Sequence, residues 1–542
     1  MTRLQVNYCC MKNAAVIAER RRPGPVIVIG AGIGGLCAAL ELVAAGENVL
    51  ILERHATPGG KMRQVPSPAG GVDAGPTVLT MRAVFDALFE MTGSTLDAHV
   101  TLHKQDILAR HWWPDSGPLD LYADTARSAQ AIGAFAGTRA AQQFSAFSQR
   151  TRQLFDGFRA PVMEAANPTL GSLTRHVLRH PHLIGAMAPG ATLAILLRQT
   201  FTDPRLRQLF GRYATYVGGS PFEVPALLSL IWQAEENGVW VVEGGLTALA
   251  QAIAARFEAL GGNLLYHAHA TRILTDSEGV TGVALADGSI FPAGQVVFNG
   301  DPRALALGRF GDAAASVAQV TDRVPRSLSA NVWAFASEVR GLDLVHHNVF
   351  FSSDPKSEFK DLKRGCLPSD PTLYLCAEDR GQGRSPSRME RFEIILNAPP
   401  LTRRLPEPED FDTCHRRTFQ TLGRFGLTFT PEPGKAALTT PSGFDALFPA
   451  TAGSLYGQSP HGMMAAFRRP TAKSPIPGLV LCGGGCHPGA GVPMAALSGR
   501  HAAAAILTAR TSTSTSRRTA TPGGMSTASR IAAAVPSRSS GS

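Results

Sequence analysis

This sequence is short of charge, of paired cysteines and of any segment able to span a bilayer. Only 17% of its 542 residues are Asp, Glu, Lys or Arg, while 44% are apolar, a globular composition. The net charge of +10 invites a nucleic-acid reading. Residues 1–24 contribute +4 and residues 508–542 contribute +5, so the body is near +1 and nucleic-acid binding loses its support. The eight cysteines form neither a zinc-ligand pattern nor a secreted disulfide framework, which points to a reducing, cytoplasmic setting. At the N-terminus Arg20 to Arg22 follow the apolar residues and Lys12 interrupts them, a poor signal peptide, with Met11 a candidate start. The uncharged stretch from His180 to Leu197 holds two histidines, Pro181, Pro189 and Gly190, which disqualify it as a spanning helix. Flanked by Arg175, Arg179 and Arg198, it reads either as a surface lying in a lipid interface, with Leu196 and Leu197 as contacts, or as a helical pair covering the core.

What is present is glycine in particular places. Val26 to Ile29 is a β-branched run suited to a strand buried on both faces. Gly30, Gly32 and Gly35 follow in G-x-G-x-x-G spacing, which permits a tight turn, brings backbone N–H groups to a pyrophosphate and seats a helix against the strand. A second strand at Val49 to Leu52 ends at Glu53, where a carboxylate accepts hydrogen bonds from an adenosine ribose. Gly59, Gly60, Lys61 and Arg63 then add a second backbone approach with two cations, which favours FAD over NAD.

The middle of the chain, about residues 95–240, reads mostly helical. Leu246, Leu249, Ile253 and Phe257 mark an amphipathic helix ending at Gly261-Gly262. An antiparallel meander with turns at Glu278-Gly279 and Asp287-Gly288 follows, then a buried strand from Val296 to Asn299. Near the C-terminus a strand at Leu479 to Cys482, a glycine loop and an Ala-rich helix from about Pro493 aim a third helix N-terminus at an anion or electron-rich ring. The Ser/Thr-rich tail beyond Leu507 is expected to be disordered.

Together, "VIVIGAGIGGLCAA", "PGGKMR", "DAGPTVLTM", "YATYVGGSPFEVPA", "GVWVVEGGLTALA", "VVFNGDP" and "CHPGAGVPMAALSG" resemble the bacterial carotenoid desaturases related to phytoene desaturase, from Pro25 to Leu507. "LARHWWPD", "HHNVFF" and "CGGG" look most like the 1-hydroxycarotenoid 3,4-desaturases. The resemblance implies an α/β chain with a two-dinucleotide-binding, Rossmann-like FAD domain carrying the meander, plus a partly helical substrate and membrane domain. The FAD domain then comprises residues 25–95, 241–302 and 471–507, the substrate domain residues 96–240 and 303–470, and residues 1–24 and 508–542 are disordered extensions.

By the same resemblance Gly30, Gly32, Gly35 and Glu53 bind the ADP half of FAD, while Gly60, Lys61, Arg63 and Thr77 lie toward the flavin. The backbone of Ala270 meets the adenine, and Gly485, Gly491 and Val492 border the isoalloxazine. The implied reaction removes two hydrogens from C3 and C4 of a 1-hydroxy or 1-methoxy carotenoid such as 1-hydroxyneurosporene. Hydride passes to flavin N5 in an apolar tunnel, with oxygen or a quinone as final acceptor and a membrane surface as partner. Such chemistry needs no metal and no Ser-His-Asp constellation. His487 is a candidate proton acceptor or a capping residue. His346 and His347 are candidates for the substrate hydroxyl or members of an exposed loop; Trp112 and Trp113 read as packing, and Cys486 as no nucleophile. The rivals are an earlier-acting phytoene or neurosporene desaturase, a flavin amine oxidase, and a non-catalytic lipid chaperone of the same fold.

Overall fold

The computed structural model describes residues 24–401 and 410–518, with side chains to residue 510. The expectations for residues 1–23 and 519–542, including the Met11 start, lie outside the described residues. At the centre is a five-stranded parallel sheet in the order Leu479–Leu481, Gln295–Phe298, Val26–Ile29, Val49–Leu52, Asn263–Leu265. Its central strand is fully enclosed because all four of its residues are apolar, as parallel strands covered on both faces require. Strand order reverses about Val26–Ile29, so the ligand crevice expected of such sheets opens at the carboxyl ends, beside residues 30, 53, 299 and 483.

Helices Ile33–Ala44, Leu246–Ala259 and Val492–Arg518 follow three of these glycine-rich turns. The first and last pack so closely that a Cβ on Gly499 would stand 2.1 Å from the Gly34 carbonyl oxygen. The last helix continues past Leu507, its backbone running to Arg518. Extending an existing helix is far easier than nucleating one, and Arg510 pairs with Glu47, just beyond the end of the first helix. The meander is present as Ala270–Asp276, Gly279–Leu285 and Ile290–Pro292.

A second, eight-stranded sheet faces the crevice. Its main path runs Thr428–Thr430, Ser329–Arg340, Glu390–Ala398, Leu373–Ala377, His347–Phe350, Ile107–Trp113, Ser116–Tyr122, with Leu438–Thr439 beside the long strand. Residues 95–240 are mostly helical as expected, and the last two strands of this path are an exception near the start of that stretch. Leu119 and Leu121 alternate with polar residues and are buried, the period-two signature of a strand, and Pro114-Asp115 begins the turn between the two strands. Helices cover this sheet around an aromatic core of Phe144, Phe147, Phe201, Phe210, Tyr213 and Trp232.

Within the arginine-flanked segment, helices Leu170–Arg179, His182–Met187 and Leu193–Thr200 present Leu170, Leu178, Ile184 and Ile195 to solvent. Leu196 and Leu197 face inward and are buried, so they are core residues and not lipid contacts. Helical phase against the neighbouring helices decides the matter, and no helix among the described residues is long and apolar enough to cross a membrane.

Candidate active site

A cavity of about 1860 Å³ lies between the two sheets. Pockets for one drug-sized ligand run to about 1,000 Å³, so there is room for a dinucleotide and a second long molecule. Three glycine loops close its inner end, and they touch one another because they lack side chains. The Gly59 amide donates to the Ala31 carbonyl at 2.8 Å, and a Cβ on Gly60 would lie 3.1 Å from the Gly32 Cα. A Cβ on Gly34 would lie 2.9 Å from the Gly483 Cα. The Asn299 side chain stitches the first loop down by donating to the Gly30 and Gly32 carbonyls at 3.0 and 3.2 Å.

Glu53 is buried and lines the cavity; its carboxylate accepts from the Ala31 and His55 amides at 2.7 and 2.8 Å. A carboxylate has about four acceptor positions, so two remain for a ribose diol. Gly484 gives a direct test of fit. A Cβ there would meet no protein atom within 4 Å, yet the residue lines the cavity, so the space in front of this loop is open to a group outside the chain. The loops, Glu53 and this open face fit FAD.

Of the residues foreseen from sequence, Gly30, Gly32, Glu53, Gly60, Lys61, Thr77, Ala270, Gly485, Gly491 and Val492 all line the cavity. Gly35 does not: it sits behind the first loop, where a Cβ would be 2.2 Å from the Gly30 carbonyl oxygen. Arg63 also lies outside the lining and donates to Thr439 Oγ1 at 2.6 Å, over the Phe444 ring. Lys61 donates to the Leu455 carbonyl. Burial pushes its ammonium down to about 8, opposed by Asp301 and reinforced by Arg326 and Arg469.

His487 Nε2 meets the Ala165 carbonyl at 2.9 Å and its ring stacks on His501, a backbone-satisfied role. Cys486 is buried with its thiol pushed up to about 12 by desolvation, which keeps it protonated and unreactive. Trp113 stacks on Phe351 and Trp112 on Phe350. The exposed-loop alternative for His346 and His347 is overturned: both are buried, His347 opening a strand of the second sheet. His346 Nδ1 donates to the Arg380 carbonyl at 2.7 Å, and the Cys376 thiol lies 3.4 Å from its Nε2.

Several site residues had no signal in the sequence. Arg469 is buried and donates to the Gly484 carbonyl at 2.8 Å and the Tyr456 carbonyl at 2.9 Å, holding the third loop from behind. The Tyr374 hydroxyl meets Thr77 Oγ1 at 2.6 Å. His346 and His347, already candidates from the sequence, are joined by Cys376, with one ligand atom from each within 4.8 Å of the others, a grouping that sequence spacing does not show.

Two sheets around a dinucleotide crevice sealed by glycine loops define an FAD-dependent oxidoreductase. The model of the flavin containing amine oxidoreductase family matches residues 33–348 and 416–507. The chain is 54% identical to the hydroxyneurosporene desaturase of Cereibacter sphaeroides, over 89% of this chain and 97% of that protein. It is 48% identical to the hydroxyneurosporene desaturase of Rhodobacter capsulatus, over 90% and 98%. Among solved structures, a redesigned putrescine oxidase superposes with a TM-score of 0.58 at 12% identity, over 90% of this chain and 99% of that one, a likeness of fold. The chain belongs to the flavin containing amine oxidoreductases and, within them, to the carotenoid desaturase family.

Proposed function

We propose that this enzyme introduces a C3–C4 double bond into acyclic carotenoids carrying a tertiary hydroxyl or methoxy group at C1, 1-hydroxyneurosporene being the type substrate. The observation that carries the reading is the cavity mouth. Leu170, Ile195, Phe222, Met463 and Met464 are exposed and at the same time line the cavity, so its rim carries an apolar patch, beside the exposed Arg198, Asp354 and Lys356. An exposed apolar patch is costly in water and suited to a substrate that never leaves lipid.

FAD, held by the three loops, supplies two-electron acceptor chemistry for a C–H bond next to a polyene. The chain's own residues bind, orient and exclude water. Phe155, Phe158, Val162, Leu173 and Met187 form apolar wall between mouth and loops. Such a wall gives a long hydrocarbon one lengthwise path and keeps water from the carbon as charge develops. Gly30, Gly32, Glu53 and Ala270 are proposed for the ADP half of FAD, and Gly60, Lys61, Thr77, Gly485, Gly491 and Val492 for the flavin half. Gly35 and Arg63 support that site from outside its lining.

The rim is also the proposed membrane contact, with Arg175, Arg179 and Arg198 beside anionic headgroups. Purified holoenzyme on liposomes loaded with 1-hydroxyneurosporene should shift the polyene spectrum to the red by one double bond. Phytoene converted in its place would move the enzyme to an earlier desaturation, and oxygen uptake during turnover separates oxygen from a quinone as acceptor. Leu178→Glu, on the exposed face, should release the protein from floated liposomes with its melting temperature unchanged; undiminished flotation would sink the docking surface.

A further inference from the structure

Among the polar groups that line the cavity, Thr77 and Tyr374 belong to a hydrogen-bonded chain that His347 completes. Thr77 Oγ1 and the Tyr374 hydroxyl are 2.6 Å apart, and the same hydroxyl lies 2.7 Å from His347 Nδ1. Thr77 and Tyr374 line the cavity, whereas His347 stands behind them, 2% exposed. We infer that the Thr77–Tyr374 pair, oriented by His347, is the anchor that reads the tertiary hydroxyl of the substrate's end group. This rests on the function proposed above and adds to it the residues that tell a hydroxylated carotenoid from a plain hydrocarbon.

Three observations carry it. The first is position. A C1 hydroxyl is two carbon–carbon bonds from C3, so whatever reads it must adjoin the loops that present the flavin. Thr77 does, because it follows Gly75, where a Cβ would be 1.9 Å from the Lys61 carbonyl oxygen. Of the other polar groups that line the cavity, Arg212 donates to the Tyr216 hydroxyl at 2.9 Å, and Glu358 is bonded by Ser352 and Thr372 and lies next to Phe359, which packs on the exposed Phe222 of the rim. Glu358 is therefore nearer the mouth than the reacting bond.

The second is capacity. A phenol has one proton and two lone pairs, and Tyr374 uses two of these three positions, one toward Thr77 and one toward His347. With Tyr374 donating to one of these neighbours and accepting from the other, in either direction, one lone pair on its oxygen remains to accept a hydroxyl proton. A methoxy group has no such proton, and neither has a hydrocarbon end.

The third is rigidity. Tyr374 is on the strand Leu373–Ala377, in register with Val349 and Ile395 of its two neighbours, so the hydroxyl is placed by sheet geometry and not by a loop. Desolvation, with His346 and Arg212 adding to it, holds His347 well below the usual imidazole range. His347 is consequently a neutral partner that fixes the phenol and is a poor sink for a proton. It is a positioning residue; Tyr374 and Thr77 are the contact residues.

The experiment separates the anchor from the chemistry. Binding of 1-hydroxyneurosporene, its 1-methoxy derivative and neurosporene is measured by quenching of intrinsic fluorescence in the FAD-loaded enzyme, and turnover is measured separately from the polyene spectrum. Wild type should bind the hydroxylated polyene about 10- to 100-fold more tightly than the hydrocarbon, the range of one or two buried hydrogen bonds. Tyr374→Phe, which keeps the ring, should collapse that ratio toward one while leaving hydrocarbon binding unaltered, and Thr77→Val should reduce it. His347→Leu should lower the ratio and His347→Asn, which retains a hydrogen-bonding atom near Nδ1, should restore part of it. A purely structural role would weaken all three polyenes in proportion, and that result, or an unchanged ratio in Tyr374→Phe, overturns the anchor. Wild type that prefers the hydroxylated polyene but never converts it would refute the desaturase reading and leave the anchor standing.

Discussion

Replacing Gly484 by alanine separates what the fold needs from what the cofactor needs. The new Cβ meets no protein atom within 4 Å, and the backbone there is outside the left-handed region, so the chain itself has no objection. At such a site Gly→Ala stabilises by about 0.4–1 kcal/mol, through the unfolded chain. The methyl group, however, projects into the space proposed for FAD. Inserting a methyl into a filled site costs about 1–3 kcal/mol, equivalent to roughly 5- to 150-fold in Kd. The two effects have opposite signs, which makes the variant informative. Apoprotein melting should be unchanged or raised, while a fluorescence titration with FAD should show the weaker Kd. Gly423→Ala, equally open but on helix Phe411–Arg424 away from the cavity, is the control: it should stabilise without touching FAD affinity. Undiminished FAD affinity in Gly484→Ala, or apoprotein melting several degrees lower, would refute the placement of the cofactor against this loop.

Gly499→Ala should do the reverse: its Cβ would be 2.1 Å from the Gly34 oxygen, so two helices must separate, at a cost of about 3 kcal/mol or more. Loss of both apoprotein stability and flavin is expected by melting and absorbance, and normal melting would show that the packing is looser than described. Because burial brings Lys61 down to about 8, its positive charge fades as pH rises through that value. FAD affinity measured from pH 7 to 9.5 should therefore fall above about pH 8 in the wild type and stay flat in Lys61→Arg; parallel profiles would discount Lys61. Acid stability tests the buried histidines. His346 is lowered by desolvation from 6.5 to about 4, so between these values the unfolded state binds more protons and stability rises with pH. Its contribution is complete above pH 6.5 and is lost as pH falls through 4, about 3 kcal/mol at about 1.36 kcal/mol per pH unit. His111 and His347 act in the same direction. Urea midpoints should drop between pH 7 and pH 4.5, less so in His346→Asn, and a constant midpoint would show these imidazoles to be solvated.

The glycine loops, Glu53 and the strands that carry them were legible in the sequence because each is a local demand. A strand buried on both faces needs an apolar run, and a turn at φ +96 for Gly30 or a 2.2 Å approach at Gly35 needs the absence of a side chain. These requirements are met within a few residues of chain and so leave a mark at fixed spacing. The hairpin at Ile107–Tyr122 left a weaker mark, an alternation of apolar and polar residues short enough to be lost among helical neighbours.

Tertiary structure alone decided the rest, since the partners are distant in the chain and their encounter depends on sheet register and helical phase. Thr77 and Tyr374 are separated by 297 positions and meet because the second sheet lies over the crevice in one register; a slip of one residue would turn Tyr374 to the other face. Arg469 reaches Gly484 through folding, with no motif around it. Rotation of one short helix sends Leu196 and Leu197 inward and Ile195 outward, although all three are equally apolar in sequence. Composition and local spacing determined that a dinucleotide is bound; only the packing of one sheet over the other determined what faces it.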